Sequence, residues 1–195
     1  YGLTVRLDHV LSMTKVSGIE RSRIFLWPIL YGGACPIPPY AGRLLSEMIN
    51  EIYNKRILEL AADIPRQGRL AHPDASATVH SKLCGSTVTV DLRVENGAVV
   101  DFSHEVKACA LGQASSSIMA RNVIGATADE LRDVRERVRR MLKENGAPPT
   151  GKWGDIAVLE PVRDYKARHA STLLTFDAVV DAVGQVEAKA AQPAT

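Results

Sequence analysis

The sequence predicts an α+β fold, a three-stranded antiparallel meander with helices packed on one face. Three observations predict it. Val88, Val90, Leu92 and Val94 alternate with Thr87, Thr89, Asp91 and Arg93, the pattern of a strand with one buried face. Asn96-Gly97 follows at once and supplies the two positive φ angles of a type I′ hairpin turn. Past residue 110 the apolar spacing becomes helical, so strands are grouped first and helices later.

Taken in order, Ile49, Ile52, Tyr53, Ile57 and Leu60 keep helical spacing over about 44–62, and Pro65, Gly68 and Pro73 end that helix in a loop. Ala77, Val79, Ser81 and Leu83 suggest a short first strand, with Gly85 permitting a tight turn. After the second strand and its Asn96-Gly97 turn, Val100, Phe102, His104 and Val106 carry the alternation back along a third. Residues 110–124 form a helix rich in small residues, Ala114-Ser-Ser-Ser117 among them. Thr127-Ala-Asp-Glu130 has capping-box spacing, in which hydroxyl and carboxylate satisfy orphan N–H groups at a helix start. Leu131, Val134, Val138 and Leu142 are its buried stripe, and Gly146 with Pro148-Pro149 closes it. Leu173, Phe176, Val180 and Val183 mark a last helix over about 171–187, and residues 188–195 read as a flexible tail.

The first 47 residues lack any sustained period, and Cys35-Pro-Ile-Pro-Pro39 breaks regular structure. They read as an appendage, with the working domain spanning 48–187 and starting at Met48. The apolar run Ile24–Tyr31 is far shorter than the ~20 residues a membrane span needs, and Pro28 interrupts it. Gly32-Gly33-Ala34-Cys35 makes a poor signal cleavage site, so the cytoplasm is the expected compartment. A net charge of +2 over 195 residues leaves no strong footprint for nucleic acid or anionic membrane. The arginines at 132, 135, 137, 139 and 140 interleave with Asp129, Glu130, Asp133 and Glu136, as on a solvated helix face.

Three cysteines are too few for a disulfide framework, and sparse thiols in a reducing compartment more often serve a metal or a reaction. The meander places two of them. Cys84 lies where the first strand ends, and the third strand returns to the same end of the sheet before Cys109. Hairpin pairing alone therefore brings together two thiols that are 24 intervening residues apart. Cys109 also precedes a helix start, a setting that suits metal ligation or attack on a sulfur donor. Two thiols alone fall short of a cluster, which takes four Cys, or Cys with His.

The residues around the thiols carry more. Lys82-Leu-Cys-Gly-Ser-Thr-Val-Thr-Val-Asp-Leu92, then a hairpin, then Ala108-Cys-Ala-Leu-Gly-Gln-Ala-Ser-Ser-Ser-Ile118 resembles the IscU/NifU-type iron–sulfur scaffold family, including its SufU branch. So does Ile52-Tyr-Asn-Lys-Arg-Ile-Leu-Glu59, and the likeness spans about 48–185. It implies a non-enzymatic scaffold or carrier for a transient [2Fe–2S] cluster, iron or zinc, which receives sulfur from a cysteine desulfurase and passes its cargo to acceptor apo-proteins. By the same resemblance Cys84 and Cys109 are the first two family cysteines. Ser86 stands where the family has Asp, and Ser171 stands where it has a third Cys. Serine is a poorer ligand than thiolate for iron or zinc, so His169, at the mouth of the same helix, is the expected substitute. Lys107, two residues before Cys109, is placed to stabilise a thiolate.

Two other classes compete. Cys109 with His104 or His169 suits a thiolate–imidazole pair for acyl or thiol transfer, although no oxyanion element or phosphate-binding loop accompanies it. A degenerate scaffold would keep the fold and bind partners without a cluster.

Overall fold

The computed structural model describes residues 54–82 and 84–191. The appendage over 1–47, the run after Cys35, the start at Met48 and the first part of the 44–62 helix lie outside the described residues. Helix α1 (Lys55–Ala62) starts where Asn54 Oδ1 accepts from the Ile57 N–H at 3.0 Å, and it buries Ile57 and Leu60. Strands β1 (Ala75–His80), β2 (Thr87–Glu95) and β3 (Ala98–Lys107) follow. Then come helices α2 (Ala110–Asn122) and α3 (Ala128–Lys143), a 3₁₀ helix over Gly151–Asp164, and α4 (Lys166–Ala190).

The sheet is antiparallel in the order β1-β2-β3. Asn96 and Gly97, with φ of 52° and 77°, turn Glu95 onto Ala98 as a type I′ pair should. Ala75, Leu92 and Phe102 form one cross-strand row of the buried face, and Ala77, Val90 and His104 form the next. Helix α4 covers β1 and β2 on this face, while α2 packs between α1 and α4 and reaches β3. Phe102 and Phe176 are each fully buried here, which stabilises the fold by about 1.5–3 kcal/mol per side chain.

The structure departs from the expected pattern in five places. Strand β1 ends at His80, so Ser81–Ser86 form the loop and Cys84 sits within it. In β3 the pairing steps from Arg93–Asp101 to Val94–Val99, which leaves Val100 as a bulge. The extra residue flips the alternation, so Val99 is buried and Val100 is exposed. Asp91, expected on the solvent side, is buried on the second face because the loop after α1 folds over it. Helix α4 begins five residues before the expected start and runs to Ala190, three residues into the expected tail.

The fifth departure is the 3₁₀ helix. Pro148, Pro149 and Pro161 argue against an α-helix there, and no α-helical period exists. Its buried residues are Trp153, Ile156, Leu159 and Val162, an unbroken step of three that matches three residues per turn. Glu130 anchors it to the start of α3, accepting from the Trp153 indole N–H at 2.7 Å and from Lys152 Nζ at 2.8 Å. The capping box itself forms, with Thr127 Oγ1 accepting from the Glu130 N–H at 3.3 Å.

Asp91 ties the covering loop to the sheet. Burial alone would push its carboxyl up. It is instead held below its usual range by the Arg69 guanidinium at 2.6 and 2.8 Å, the Ser76 hydroxyl at 2.5 Å and the Leu70 N–H at 3.1 Å. A depressed carboxyl contributes stability above its unfolded pKa, near 3.9, and loses it as pH falls through the lower folded value. Asp91→Ala should therefore cost about 2 kcal/mol at neutral pH in urea unfolding. The variant should also lose much of the acid-induced drop in stability seen in the parent chain.

Candidate functional site: a thiol pair at one end of the sheet

Both described cysteines lie at the end of the sheet opposite Asn96-Gly97. In the register, His80 pairs with Thr87 and Thr87 with Lys107, so the β1–β2 loop and the end of β3 emerge together. The loop closes through Ser81 and Ser86: the Ser81 N–H donates to the Ser86 carbonyl at 2.8 Å, and Gly85, at φ 68°, donates back to the Ser81 carbonyl at 2.9 Å. This closure buries both serine side chains and leaves Cys84 exposed between them.

Cys84 Sγ lies 3.3 Å from Ser81 Oγ and 3.0 Å from Ser86 Oγ. Both hydroxyls can donate to a thiolate, as does the Ser86 N–H, and the positive charge of Arg168 adds to them. Against the opposing effect of burial, which exceeds that of Arg168, the hydrogen bonds hold the thiol below its ordinary value, at about 7. Cys84 is therefore substantially a thiolate at neutral pH, the form that ligates metals and attacks sulfur. Ser81 was not singled out in the sequence, where it reads as a strand residue. The cation beside a thiol is Arg168, and Lys107 is exposed at the end of β3.

Cys109 is half-buried against the core at the N-cap of α2, and its Sγ lies 3.5 Å from Ser171 Oγ. Ser171 is buried in the first turns of α4 and donates its own proton to the Arg168 carbonyl at 3.0 Å, which leaves its lone pairs towards the thiol. The first turns of α4 thus place Ser171 against Cys109 and set the charge of Arg168 within electrostatic reach of Cys84. Gly112 makes this approach possible. A Cβ there would stand 2.7 Å from Ala108 Cβ and 3.0 Å from the Ser171 carbonyl oxygen, closer than side chains pack.

His169 stands elsewhere. Its Nε2–H faces the Val162 and Arg163 carbonyls at 3.1 and 3.0 Å, so the ring caps the end of the 3₁₀ helix. The α4 residue that stands against Cys109 is Ser171 instead. His104 is fully buried, and its Nε2–H donates to the Pro65 carbonyl at 3.0 Å. Burial keeps it neutral, and its Nδ1 has no partner. Both imidazoles are thus bonded to backbone carbonyls, and no hydrogen bond joins either to a described thiol. Among the described residues no set of three or more His, Cys, Asp or Glu side chains gathers as a metal site. On α3, Arg132, Arg135, Arg137, Arg139 and Arg140 are each paired with a carboxylate.

A three-stranded meander with two free thiols at one end and the start of α4 against one of them defines a thiol-bearing α+β domain. Residues 52–172 match the NifU-like N terminal domain family, and the chain belongs to it, among the iron–sulfur cluster assembly scaffolds of the IscU, NifU and SufU kind. A crystal structure of a nitrogen-fixing NifU-like protein (N-terminal) from Brucella abortus is 70% identical, covers 73% of this chain and 99% of its own, and has a TM-score of 0.72. The iron-sulfur cluster assembly scaffold protein IscU of Thermotoga maritima is 27% identical over 137 residues, 69% of this chain and 94% of that protein. The fold also matches a putative scaffold protein for the SUF system from Fervidobacterium islandicum, 22% identical, with a TM-score of 0.64 over 69% of this chain and 98% of the other.

Alkylation of Cys84, followed by peptide mass mapping, should titrate with an apparent pKa near 7. Replacing both Ser81 and Ser86 by alanine should move it towards the ordinary thiol value of about 8.5 and slow the reaction several-fold at neutral pH.

Proposed function

We propose that this chain is an iron–sulfur scaffold or carrier that takes sulfur at Cys84 and holds a transient [2Fe–2S] cluster, iron or zinc between Cys84 and Cys109. The observation that supports this reading is the register that brings the Cys84 loop and the approach to Cys109 to one end of the sheet, in a chain of the scaffold family. The sulfur donor is a cysteine desulfurase. The Cys84 thiolate attacks the outer sulfur of the donor's persulfide, a new S–S bond forms on Cys84, the donor's S–S bond breaks, and the donor leaves as its thiolate. Acceptor apo-proteins take the cargo onward.

The ligand set makes the cargo labile. Two thiolates are present where a cluster takes four ligands, and Ser171, whose hydroxyl is hard and seldom deprotonated, stands at the third place. Ser86 also alters the site. A carboxylate beside Cys84 would oppose its thiolate, whereas a hydroxyl donates to it. The remaining coordination falls to a partner's thiol, as suits a carrier that must release what it holds. Residues 48–187 form the working domain and the cytoplasm is its compartment. No helix among the described residues is long and apolar enough to cross a membrane.

The test is iron and sulfide content, with the absorption spectrum, of protein reconstituted without oxygen. Cys84→Ala or Cys109→Ala should abolish retention, and Ser171→Cys should slow transfer of the cargo to a chelator by about tenfold or more, on the scale of ligand changes at metal sites. His169→Ala should lower stability by about 1 kcal/mol through its lost hydrogen bonds while leaving iron stoichiometry unchanged. Retention of iron and sulfide by both cysteine variants would contradict the reading.

A further inference from the structure

Most of the cations among the described residues are spoken for. The arginines of α3 are paired, as are Arg56, Arg69, Arg93, Arg121 and Arg163 with Glu59, Asp91, Glu95, Asp63 and Glu160. Lys55, Lys152 and Lys189 also have partners, the last in the Asp74 carbonyl. Among the described residues, Arg66, Lys82, Lys107, Lys143, Lys166 and Arg168 are the lysines and arginines without a hydrogen-bond or ion-pair partner. Four of these six belong to the thiol site. Lys82 lies in the Cys84 loop, Lys107 ends β3 two residues before Cys109, and Lys166 and Arg168 lie at the start of α4, which carries Ser171 against Cys109. All four are exposed. Asp164 is an opposing carboxylate on this end, while Glu105, near Lys107 in β3, is paired with Arg69.

We propose that the cysteine end of the sheet is an electropositive docking surface for an acidic segment of the protein that delivers sulfur. The proposal rests on the scaffold reading above and adds the chemistry by which the donor is recognised. Unpaired like charges clustered on one face destabilise the chain that carries them and attract a partner of opposite sign. Two copies placed face to face would bring these same cations together, which disfavours a second copy as the occupant. The α4 N-terminus adds positive potential of its own.

The test is the rate at which Cys84 exchanges with disulfides of different charge, in full-length Cys35→Ser/Cys109→Ser protein where Cys84 is the single thiol. In each reaction the thiolate attacks the disulfide, forms a mixed disulfide and releases the other half as thiolate. The probes are a disulfide-linked cysteine peptide flanked by glutamates, its lysine-flanked counterpart, glutathione disulfide and neutral dithiodipyridine. Dithiodipyridine reports intrinsic reactivity, so ratios to it isolate steering. At low ionic strength the glutamate peptide should react about tenfold or more faster than the lysine peptide, and about 1 M salt should remove the advantage. Lys82→Glu/Lys107→Glu/Lys166→Glu should reverse the order, and the milder Gln triple variant should abolish it.

A glutamate-to-lysine ratio near unity, or one indifferent to the charge variants, would overturn the proposal. So would an equal gain for glutathione disulfide, which would assign the surface to a small anionic thiol. Stronger protection of Cys84 by a DNA oligonucleotide than by the glutamate peptide would overturn it as well. These rates need no iron, so loss of steering leaves the scaffold reading standing, and loss of iron retention leaves the steering result standing.

Discussion

Helix α4 reaches the cysteine end of the sheet because position 112 carries no side chain. In an ordinary helix interior Gly→Ala is favourable by about 0.5–1 kcal/mol. At Gly112 the added methyl would meet the Ser171 backbone at 3.0 Å and Ala108 Cβ at 2.7 Å, and neither can rotate away. Overpacking of this kind costs about 1–3 kcal/mol, so the steric term outweighs the propensity term. The contact also sets the chemistry. It seats Ser171 against Cys109 and brings Arg168 within electrostatic reach of Cys84. The small residues of α2, almost all buried, extend the close packing along the helix.

The two thiols that this packing assembles are unlike each other. Cys84 is exposed, held by two buried hydroxyls and biased towards thiolate. Cys109 is half-buried, packed against the core and bonded to Ser171. Under the proposed function, the exposed thiolate would receive sulfur from outside and the sheltered thiol would complete the hold.

Much of the fold was legible in the sequence because its strongest signals are local. Asn96-Gly97 fixes the hairpin through two backbone angles, and the β2 alternation fixes its buried face, so the placement of Cys84 and Cys109 at one end of the sheet followed from strand pairing. The failures share a cause as well. Val100 was misplaced because a bulge changes the phase without leaving a mark in the apolar pattern. Asp91 was misplaced because its burial depends on a loop that arrives from 22 residues earlier in the chain, at Arg69. The 3₁₀ helix was missed although Trp153, Ile156, Leu159 and Val162 spell out its period of three. Only periods of 2 and 3.6 are usually sought. At the site, the cysteines and Ser171 could be found from the resemblance. Ser81 and Gly112 act through tertiary contacts, and the orientation of His169 depends on the carbonyls at the end of the 3₁₀ helix.

The central claim is that Cys84 and Cys109 belong to one ligand site whose third place is taken by Ser171. Cobalt(II) titration followed by thiolate-to-metal charge-transfer absorption tests it most directly, because the intensity grows with each thiolate on the metal. The account predicts one cobalt per chain with the intensity of two thiolates, one thiolate fewer in Cys109→Ala, and one more in Ser171→Cys. A single-thiolate signal in the parent chain that Cys109→Ala leaves unchanged, with no gain in Ser171→Cys, would contradict it.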